Sequence, residues 1–568
     1  MGLTTALYTA MSGLNANSGV INVAGNNIAN TNTTGFKSSR ADFETQLLLN
    51  VGNGSAPSAQ SGGVNPTQIG LGVRFSGTTQ NFNDGTINLT GINSDVAIEG
   101  NGFFVVDYGG NQKYTRAGNF GLDADQNFVD ANGGRVQGYS IDEEYNIVSG
   151  VVGNIEIPVG SLTIAEPTGN INFAGNLNSG GEVATLGTIV QSDALYADAG
   201  QVTQASANTL LQSLFNGSGN PLFVNGDVLT VTDITRGGAA LPAKTFQIGA
   251  TNTTESDAFG STVQDLLTFY EDIMGIDTSV SGGATIVNGQ INIEGHSGTV
   301  NELVITSDNM VLNKDTSPTL PFNFSQTQEA DGESVRTTFV AYNSLGQEMI
   351  IDLNVVLESK SNAGTTWRFY AQSEDDSDLS RVLGSGTLKF DTNGRFLLAT
   401  DTTITMDLEG TGALTPQSIN LLFDEPTDSL SALATNQSTI ASTQQDGSAI
   451  GTLEDFFITE DGVVHGIFSN SITRSLGQVV LANFANQDGL VEEAGNLYDV
   501  TAASGTPILG APGTSGTGRT IGQALELSNV DLSQEFITLI NATTGYSANS
   551  RVFSTSDQLI QELLNTLT

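Results

Sequence analysis

Heptad spacing of apolar residues at both ends of the chain constrains the fold more than any other feature of the sequence. Near the N-terminus two rows of residues each repeat every seven positions. The first row is entirely apolar, and Asn17 is the one polar residue in the second row. The first row is Leu7, Leu14, Ile21 and Ile28, and the second contains Leu3, Ala10 and Ala24. Near the C-terminus the row comprises Leu525, Leu532, Leu539, Tyr546, Phe553, Ile560 and Leu567, with Phe536 and Leu564 among the flanking residues.

This spacing predicts two long helices, within residues 1–32 and 525–568, that pair along a left-handed coiled-coil seam. Asp531 and Ser528 offer N-cap chemistry near the start of the second helix. One seam buries too little apolar surface to offset the entropy lost when the helices become ordered. We therefore expect the ends to pack against each other and against neighbouring subunits, and to be disordered in the free monomer. The alternative is that both stripes pack only on the protein's own core.

The region between the ends is typical of a turn-rich β protein. It contains most of the 67 Gly of the chain, and its short apolar runs are separated by turn signals, which favours an antiparallel meander or barrel. The apolar face from Val263 to Ile273 predicts one helix within it. The predicted parts are an extended connector (33–80), an inner β domain formed by both halves of the chain (81–170 and 431–524), an outer β-rich domain that contains the helix (171–330) and an outer β domain (331–430).

Composition excludes several classes of function. The chain has no Cys, so disulfides, thiolate metal sites and cysteine nucleophiles are excluded. Its formal net charge of −42 repels nucleic acid and anionic membranes, and no apolar run is long enough to insert into a membrane. The segment 123–127 opens like a calcium loop, but Phe128 and Gly134 stand where Gly and Glu are needed. We predict a structural or binding protein and not an enzyme, with no catalytic, cofactor-binding or metal-binding residue.

Three blocks of sequence, spread over both ends of the chain, resemble the bacterial flagellar rod and hook proteins. The first block is 26–37, the second combines 99–104 with 114–120, and the third combines 527–532 with 546–550. Two departures are Thr543-Thr544, where the family often has Gln-Arg, and Ser471, where it often has Gly. The residues that carry the resemblance are Asn27, Asn30, Gly35, Phe36, Gly102, Phe103, Tyr114, Arg116, Gly118, Asn119, Asn529 and Asp531.

The resemblance implies an axial protein of the bacterial flagellum, located outside the cell and exported by the flagellar type III apparatus without a cleaved signal. Such proteins polymerise with themselves into a helical tube, and the large insert favours the hook, a curved universal joint that transmits torque. The implied partners are further copies of the chain, the distal rod, the hook cap, the hook–filament junction proteins and the export apparatus, with no nucleic acid and no membrane insertion. Two alternatives stay open, a distal rod subunit and, from another class, a secreted acidic adhesin.

Overall fold

The computed structural model describes residues 2–59, 61–313, 318–424, 429–435 and 437–567. It divides the chain into two compact units. The first unit combines Met1–Leu162 with Thr452–Thr568, and the second is Thr163–Gly451. The first unit is therefore built from both ends of the chain, and the second is an insert.

Three α-helices lie within the described residues, namely α1 (Gly2–Ala29), α2 (Val263–Met274) and α3 (Leu532–Leu567). None of these three is long and apolar enough to cross a membrane. Four single turns of 3-10 helix are found at 211–213, 299–301, 307–309 and 487–489.

The remaining regular structure is β. The strands of the N-terminal part are β1 (Ser39–Thr45), β2 (Leu48–Gly52), β3 (Thr67–Gly70), β4 (Val73–Gln80), β5 (Ile87–Leu89), β6 (Val96–Glu99), β7 (Phe103–Asp107), β8 (Gln112–Thr115), β9 (Gly121–Leu122), β10 (Phe128–Val129), β11 (Arg135–Ile141) and β12 (Ile147–Asn154). The insert contains β13 (Thr163–Glu166), β14 (Asn170–Asn176), β15 (Gly187–Ser192), β16 (Val228–Val231), β17 (Thr235–Arg236), β18 (Ala239–Ala240), β19 (Lys244–Ile248), β20 (Ala258–Gly260), β21 (Gly283–Val287), β22 (Gln290–Ser297), β23 (Leu303–Val304), β24 (Met310–Asn313), β25 (Phe324–Gln328), β26 (Ser334–Tyr342), β27 (Glu348–Ser361), β28 (Gly364–Ser373), β29 (Val382–Phe390), β30 (Phe396–Thr400), β31 (Thr403–Met406), β32 (Gln417–Leu422), β33 (Leu430–Ser431) and β34 (Thr439–Gln445). The C-terminal part adds β35 (Ser448–Ile458), β36 (Val463–Phe468), β37 (Thr473–Val479), β38 (Leu481–Asn483), β39 (Val491–Glu493), β40 (Leu497–Asp499), β41 (Ile508–Gly510), β42 (Arg519–Gly522) and β43 (Ala524–Glu526).

The C-terminal helix begins one heptad later than its apolar row predicts. Leu525, the first member of that row, lies in β43, which pairs with β5 in an antiparallel ladder. The backbone stays extended after β43 because Leu527 N donates to Thr86 O and Asn529 N donates to Phe36 O. Asp531 then caps α3, since its Oδ1 accepts hydrogen bonds from the backbone N–H groups of Ser533 (2.8 Å) and Gln534 (3.2 Å). The predicted helix over 525–531 was therefore wrong.

Strands from both halves of the chain form the β part of the first unit. The central strand β7 pairs with β8 and β11 from the N-terminal half and with β38 from the C-terminal half. Its residue Phe103 packs edge-to-face on Phe484 and Tyr498, with ring centroids 5.8 and 5.4 Å apart. The ladder and the aromatic core together hold the two ends of the chain in one body.

The segment predicted to be an extended connector forms paired strands. Strand β1 pairs with β4, and β2 pairs with β3, both antiparallel. We call residues 39–80 the arm. Its large apolar side chains are exposed at Phe43, Leu47, Leu48, Leu49, Val51, Val64, Ile69 and Phe75.

The insert contains two hydrophobic cores. One is formed by buried residues between Val190 and Phe324, including the apolar face of α2, so the predicted helix is present. The other is centred on the antiparallel meander β26 to β30 and on Trp367. Both lie within the second compact unit, and the predicted domain boundary at residue 330 stays a prediction.

One turn, closed by an Asn or Asp side chain, recurs six times across the described residues of both units. In each case the side-chain Oδ1 accepts hydrogen bonds from the backbone N–H groups two and four residues later, which closes a tight hairpin. The residues that do this are Asp123, Asp130, Asp142, Asn216, Asn343 and Asp391. The segment that opens like a calcium loop is thus one member of a set of capped turns.

Candidate assembly site

Residues from two of the sequence blocks that carry the resemblance, and the residue just before the third block, meet at a buried ion cluster in the first unit. Lys37 follows α1, Arg116 follows β8, and Glu526 ends β43. Lys37 Nζ lies 2.6 Å from Glu526 Oε1, and both side chains are 1% exposed. Arg116 Nη1 lies 3.5 Å from Glu526 Oε2 and the same distance from Asp84 at the rim of the cluster. One carboxylate therefore joins two cations that come from different parts of the chain.

Hydrogen bonds hold several further donors around this carboxylate, although Arg116 Nε is buried without a hydrogen-bond partner among the described residues. Lys37 Nζ donates to Asn83 O (2.9 Å), and Gly85 N donates to Glu526 Oε1 (2.7 Å). Arg116 Nη2 donates to Gly100 O (2.8 Å). Burial lowers the pKa of Lys37, with a further contribution from the neighbouring Arg116, and the Glu526 carboxylate opposes both effects. Because a buried charge that loses its partner is strongly destabilising, the three side chains depend on one another.

Two glycines of the sequence blocks allow the backbone to approach this cluster closely. Gly35 has φ +68°, and a Cβ there would lie 2.6 Å from the backbone carbon of Arg116. Its N–H donates to Glu526 O at 2.8 Å. A Cβ on Gly118 would overlap the backbone oxygen of Val96. A larger side chain at either position would separate segments that the ion cluster holds together.

Two asparagines connect the helices to the β part of the unit. Asn27, at the end of α1, accepts a hydrogen bond from Ser39 N (3.0 Å) and donates to Ser39 O (2.8 Å) and to Glu535 Oε1 (2.9 Å). Asn529, just before α3, accepts from Ser38 N (2.8 Å) and donates to the backbone oxygens of residues 81 and 83. The start of the arm is thereby fixed to both terminal helices.

The other residues of the three blocks are structural in the same region. Asn30 donates to Asn26 O in the last turn around α1. Gly102 has φ +130° immediately before β7, and the backbone of Asn119 bridges to Asp95. Phe36, Phe103 and Tyr114 are buried. Sequence reasoning missed Glu526, and the one available signal was that Lys37 is the first charged residue of the chain.

The contact between α1 and α3 is made by small residues rather than by the large residues of the predicted rows. The helices run antiparallel, because Gly13 faces Asn549 while Asn27 contacts Glu535. The buried residues of the pair are Ala10, Gly13, Ala16, Ala24, Asn27, Ala542 and Ser556.

The large residues of the predicted rows are not among the buried residues of this contact, whereas Ala10 and Ala24 of the second row are. Leu7, Leu14, Ile21, Ile28, Leu539 and Ile560 are half-buried, and Leu532, Phe536, Tyr546, Phe553 and Leu564 are exposed. The side chains of Leu3 and Leu567 lie outside the described residues. A coiled-coil seam formed by these rows stays a prediction.

The segments with the most exposed apolar side chains carry few or no charged residues. No Asp, Glu, Lys or Arg occurs in residues 1–36 or 46–72, although the whole chain has 60 acidic and 18 basic residues. In α3 the charged side chains are Glu535, Arg551, Asp557 and Glu562. A second copy can therefore approach these surfaces without the repulsion that acidic surfaces impose.

Comparison with known proteins gives four family matches along the chain. These are "Flagella basal body rod protein" over 7–37, "Flagellar hook protein FlgE/F/G D1 domain" over 97–178, "Flagellar basal body protein FlaE D2 domain" over 311–448 and "Flagellar basal body rod FlgEFG protein C-terminal" over 521–566. Together they cover more than half of the chain. Lys37, Arg116 and Glu526 each fall in a different match.

Curated relatives match over almost the full length. The flagellar hook protein FlgE of Borreliella burgdorferi is 28% identical, over 98% of this chain and 98% of the relative. That of Escherichia coli K12 is 28% identical over 99% of each chain. Among solved structures, the Helicobacter pylori flagellar hook protein FlgE2 is 18% identical, with a TM-score of 0.38 over 77% of this chain and 100% of that one.

Proposed function

The chain belongs to the flagellar hook protein family and is a structural subunit of the hook, and we propose that its terminal helices and its arm form the contacts through which its copies polymerise. One observation carries this proposal. In a chain with a net charge of −42, the exposed large apolar side chains of the first unit are concentrated on α3, which has four charged residues, and on the arm, which is uncharged over residues 46–72. Exposed apolar surface of this extent marks an interaction site.

The predicted heptad rows are the second element of the proposal. Because small residues make the contact within one chain, the large residues at positions such as Phe536, Phe553 and Leu564 are left for neighbouring chains. In the assembled tube they would form the coiled-coil seam around the axis. The half-buried row on α1, from Leu7 to Ile28, would flank the same seam.

The outer parts of the subunit suit a joint that bends as it rotates. The insert has polar, Gly-rich turns, and its contacts with neighbours would be wet and individually weak. A curved tube that rotates must compress and extend each of its sides in turn. Strong apolar contacts at the axis would keep the tube intact, and weak outer contacts could be broken and formed again at small energetic cost. We propose no catalytic, cofactor or metal role. The distal rod, the cap, the junction proteins and the export apparatus remain proposed partners at the ends of the tube and during export.

The test is polymerisation of the purified chain, followed by light scattering and electron microscopy. The variant Phe536→Ser/Phe553→Ser removes two exposed rings from α3 and should reduce polymer yield at least about tenfold, because each ring contributes about 1.5–3 kcal/mol on burial. The matched control is Leu345→Ser/Leu414→Ser, which removes two exposed apolar side chains from the insert. Equal loss in both variants, or loss in neither, would contradict the assignment of the axial contact to α3.

A further inference from the structure

Two glycine–asparagine pairs join α1 to α3 in a reciprocal arrangement. A Cβ built on Gly13 would lie 2.7 Å from Asn549 Nδ2, and one built on Gly545 would lie 2.8 Å from Asn17 Oδ1. Each helix thus presents a glycine and, four residues later, an asparagine, and each asparagine covers the glycine of the other helix. The same four-residue spacing on two antiparallel helices makes the arrangement locally two-fold symmetric.

Each asparagine is held in place by its own helix. Asn17 Nδ2 donates to Gly13 O at 2.7 Å, and Asn549 Nδ2 donates to Gly545 O at 2.9 Å. The side chain is therefore folded back along the helix and lies flat against the opposite glycine. Glycine inside a helix costs about 1 kcal/mol relative to alanine, so both glycines are unfavourable for their own helices. The absence of a Cβ at each glycine lets the asparagine of the other helix approach closely, and this contact compensates for the low helix propensity of glycine.

We propose that these four residues, the clasp, set the register in which the terminal helices pair. A slip of one helical turn in one direction would place Asn17 opposite Asn549, so that two asparagines would compete for one space. A slip in the other direction would place Gly13 opposite Gly545 and leave a gap. The observed register is the one that matches each asparagine to a glycine. A polar residue at a single seam position is known to specify register in this way at some cost in stability.

The clasp gives the helix pair a specificity that its other contacts lack. The remaining buried residues on the shared face are mainly alanine and serine, at Ala10, Ala16, Ala24, Ala542 and Ser556. A slip by one turn toward the Asn17–Asn549 register would place these small side chains opposite one another, with Ala10 opposite Ser556 and Ala24 opposite Ala542, so they do not oppose that slip. This consequence rests on the proposed function, in which the outer faces of the helices bind neighbouring copies. By setting the register, the clasp also determines which outer residues of α1 lie beside which outer residues of α3.

The test measures register directly with engineered disulfides, which are unambiguous because the chain has no Cys. The register given by the Gly13–Asn549 and Asn17–Gly545 pairs places Ala24 opposite Thr538, and both line one cavity that the helices share with the arm, so the Ala24→Cys/Thr538→Cys pair reports the observed register. The Ala24→Cys/Ala542→Cys pair reports a slip by one turn. Hooks assembled from each reporter chain are oxidised, and the intrachain disulfide yields are measured by mass spectrometry. In the otherwise native chain the first yield should exceed the second at least about fivefold.

Replacing the asparagines should abolish this preference. In Asn17→Leu/Asn549→Leu the two yields should approach each other to within about twofold. The matched control is Asn15→Leu/Asn541→Leu, which makes the same chemical change at exposed positions of the same two helices and should keep the ratio. An unchanged ratio in the clasp variant would overturn the proposal.

A second pair of variants distinguishes loss of register from misfolding. Gly13→Asn alone should lower the in-register yield at least about threefold, because two asparagines then oppose each other, and adding Asn549→Gly should restore it. Absence of rescue would count against the clasp. If the reporter chains form no hook, the proposed function is contradicted instead. The ratio is then read on the soluble chain under conditions in which hydrogen exchange shows both helices protected, and equal yields there in the otherwise native background would overturn the clasp as well.

Discussion

Lys37 and Glu526 form a buried ion pair, with Nζ 2.6 Å from Oε1, although almost the whole chain separates them in sequence. The pair closes the first unit, because Lys37 follows α1 and Glu526 precedes α3. Arg116 adds a second cation from the β part, and its guanidinium lies over the ring of Phe103 at 5.3 Å. The site where the terminal helices leave the β strands is thus fixed by charge rather than by apolar packing alone.

We expect Glu526→Ala to destabilise the first unit by about 3–5 kcal/mol, because it leaves two buried cations without their carboxylate. Hydrogen exchange of the amides in β7 measures the effect locally, which avoids assuming a single transition for a chain with two units. The matched control is Glu99→Ala, which removes the partner of Arg519 at the exposed surface and should cost less than about 1 kcal/mol. A loss below 1 kcal/mol in Glu526→Ala would show that the pair does not hold the unit together.

His296 should make the stability of the insert depend on pH. Burial, with a further contribution from Arg236, lowers the pKa of His296 to about 3, and its Nε2 accepts a hydrogen bond from Asp277 N at 2.9 Å. Since the pKa in the unfolded chain is about 6.5, the unfolded state binds more protons between pH 6.5 and 3. Stability is therefore fully present above about pH 6.5 and is lost as the pH falls toward 3.

The measurement is denaturant unfolding of the native chain and of His296→Gln between pH 7 and pH 4. The native chain should lose about 2–3 kcal/mol more than the variant over this range. Both chains keep carboxylates with lowered pKa values, such as Asp331 and Asp446, so the difference between them isolates the histidine. Parallel pH profiles would mean that His296 is not held neutral by its surroundings.

Ser471 should be a site where glycine stabilises the protein. Its φ is +65°, a conformation that costs a residue with a Cβ about 1 kcal/mol more than glycine. The turn is closed by Ser471 N donating to Phe468 O at 2.8 Å, which does not need the side chain. Ser471→Gly should raise stability by about 0.5–1 kcal/mol, and Ser471→Val should lower it, as measured by exchange of amides in β36 and β37. The opposite order would show that the serine side chain outweighs the backbone strain.

Some of these features could be predicted from sequence and others could not. Heptad spacing predicts both terminal helices. It does not show which face of a helix packs within the chain and which face would pack against another copy. Large residues such as Phe553 therefore suggested the contact within one chain, whereas the buried residues of the helix pair are small, such as Ala16 and Ala542. The helix predicted from the row was also too long at its N-terminal end. Leu525 fits the apolar spacing, but its backbone pairs with β5, and apolar spacing carries no information about strand pairing. The sequence signal for Glu526 was only indirect, in that Lys37 is the first charged residue of the chain, because the role of Glu526 depends on two cations that are distant along the chain.

Salt should promote assembly of the hook subunit. The two uncharged segments can approach one another freely, but the rest of the chain has a large excess of acidic residues, and stacked copies repel. At about 0.15 M ionic strength the Debye length is about 8 Å, so most of this repulsion is screened. Polymer yield should rise several-fold between about 10 mM and 150 mM NaCl, whereas sucrose at equal osmolarity should not reproduce the rise. A yield that falls with salt would mean that ion pairs between copies dominate assembly.

The terminal helices should be disordered in the free monomer and ordered in the hook. The contact of α1 with α3 buries mainly small side chains, while Phe536 and Leu564 on α3 remain exposed at 50% and 58%. This contact alone offsets little of the backbone entropy lost on ordering, about 1–2 kcal/mol per residue. Hydrogen exchange should therefore find the amides of both helices unprotected in the monomer and protected in the polymer. The internal control is β7, whose amides lie among the buried aromatic residues and should be protected in both states. Protection of α1 and α3 in the monomer would show that the small-residue contact suffices, and that neighbouring copies add affinity without being needed for folding.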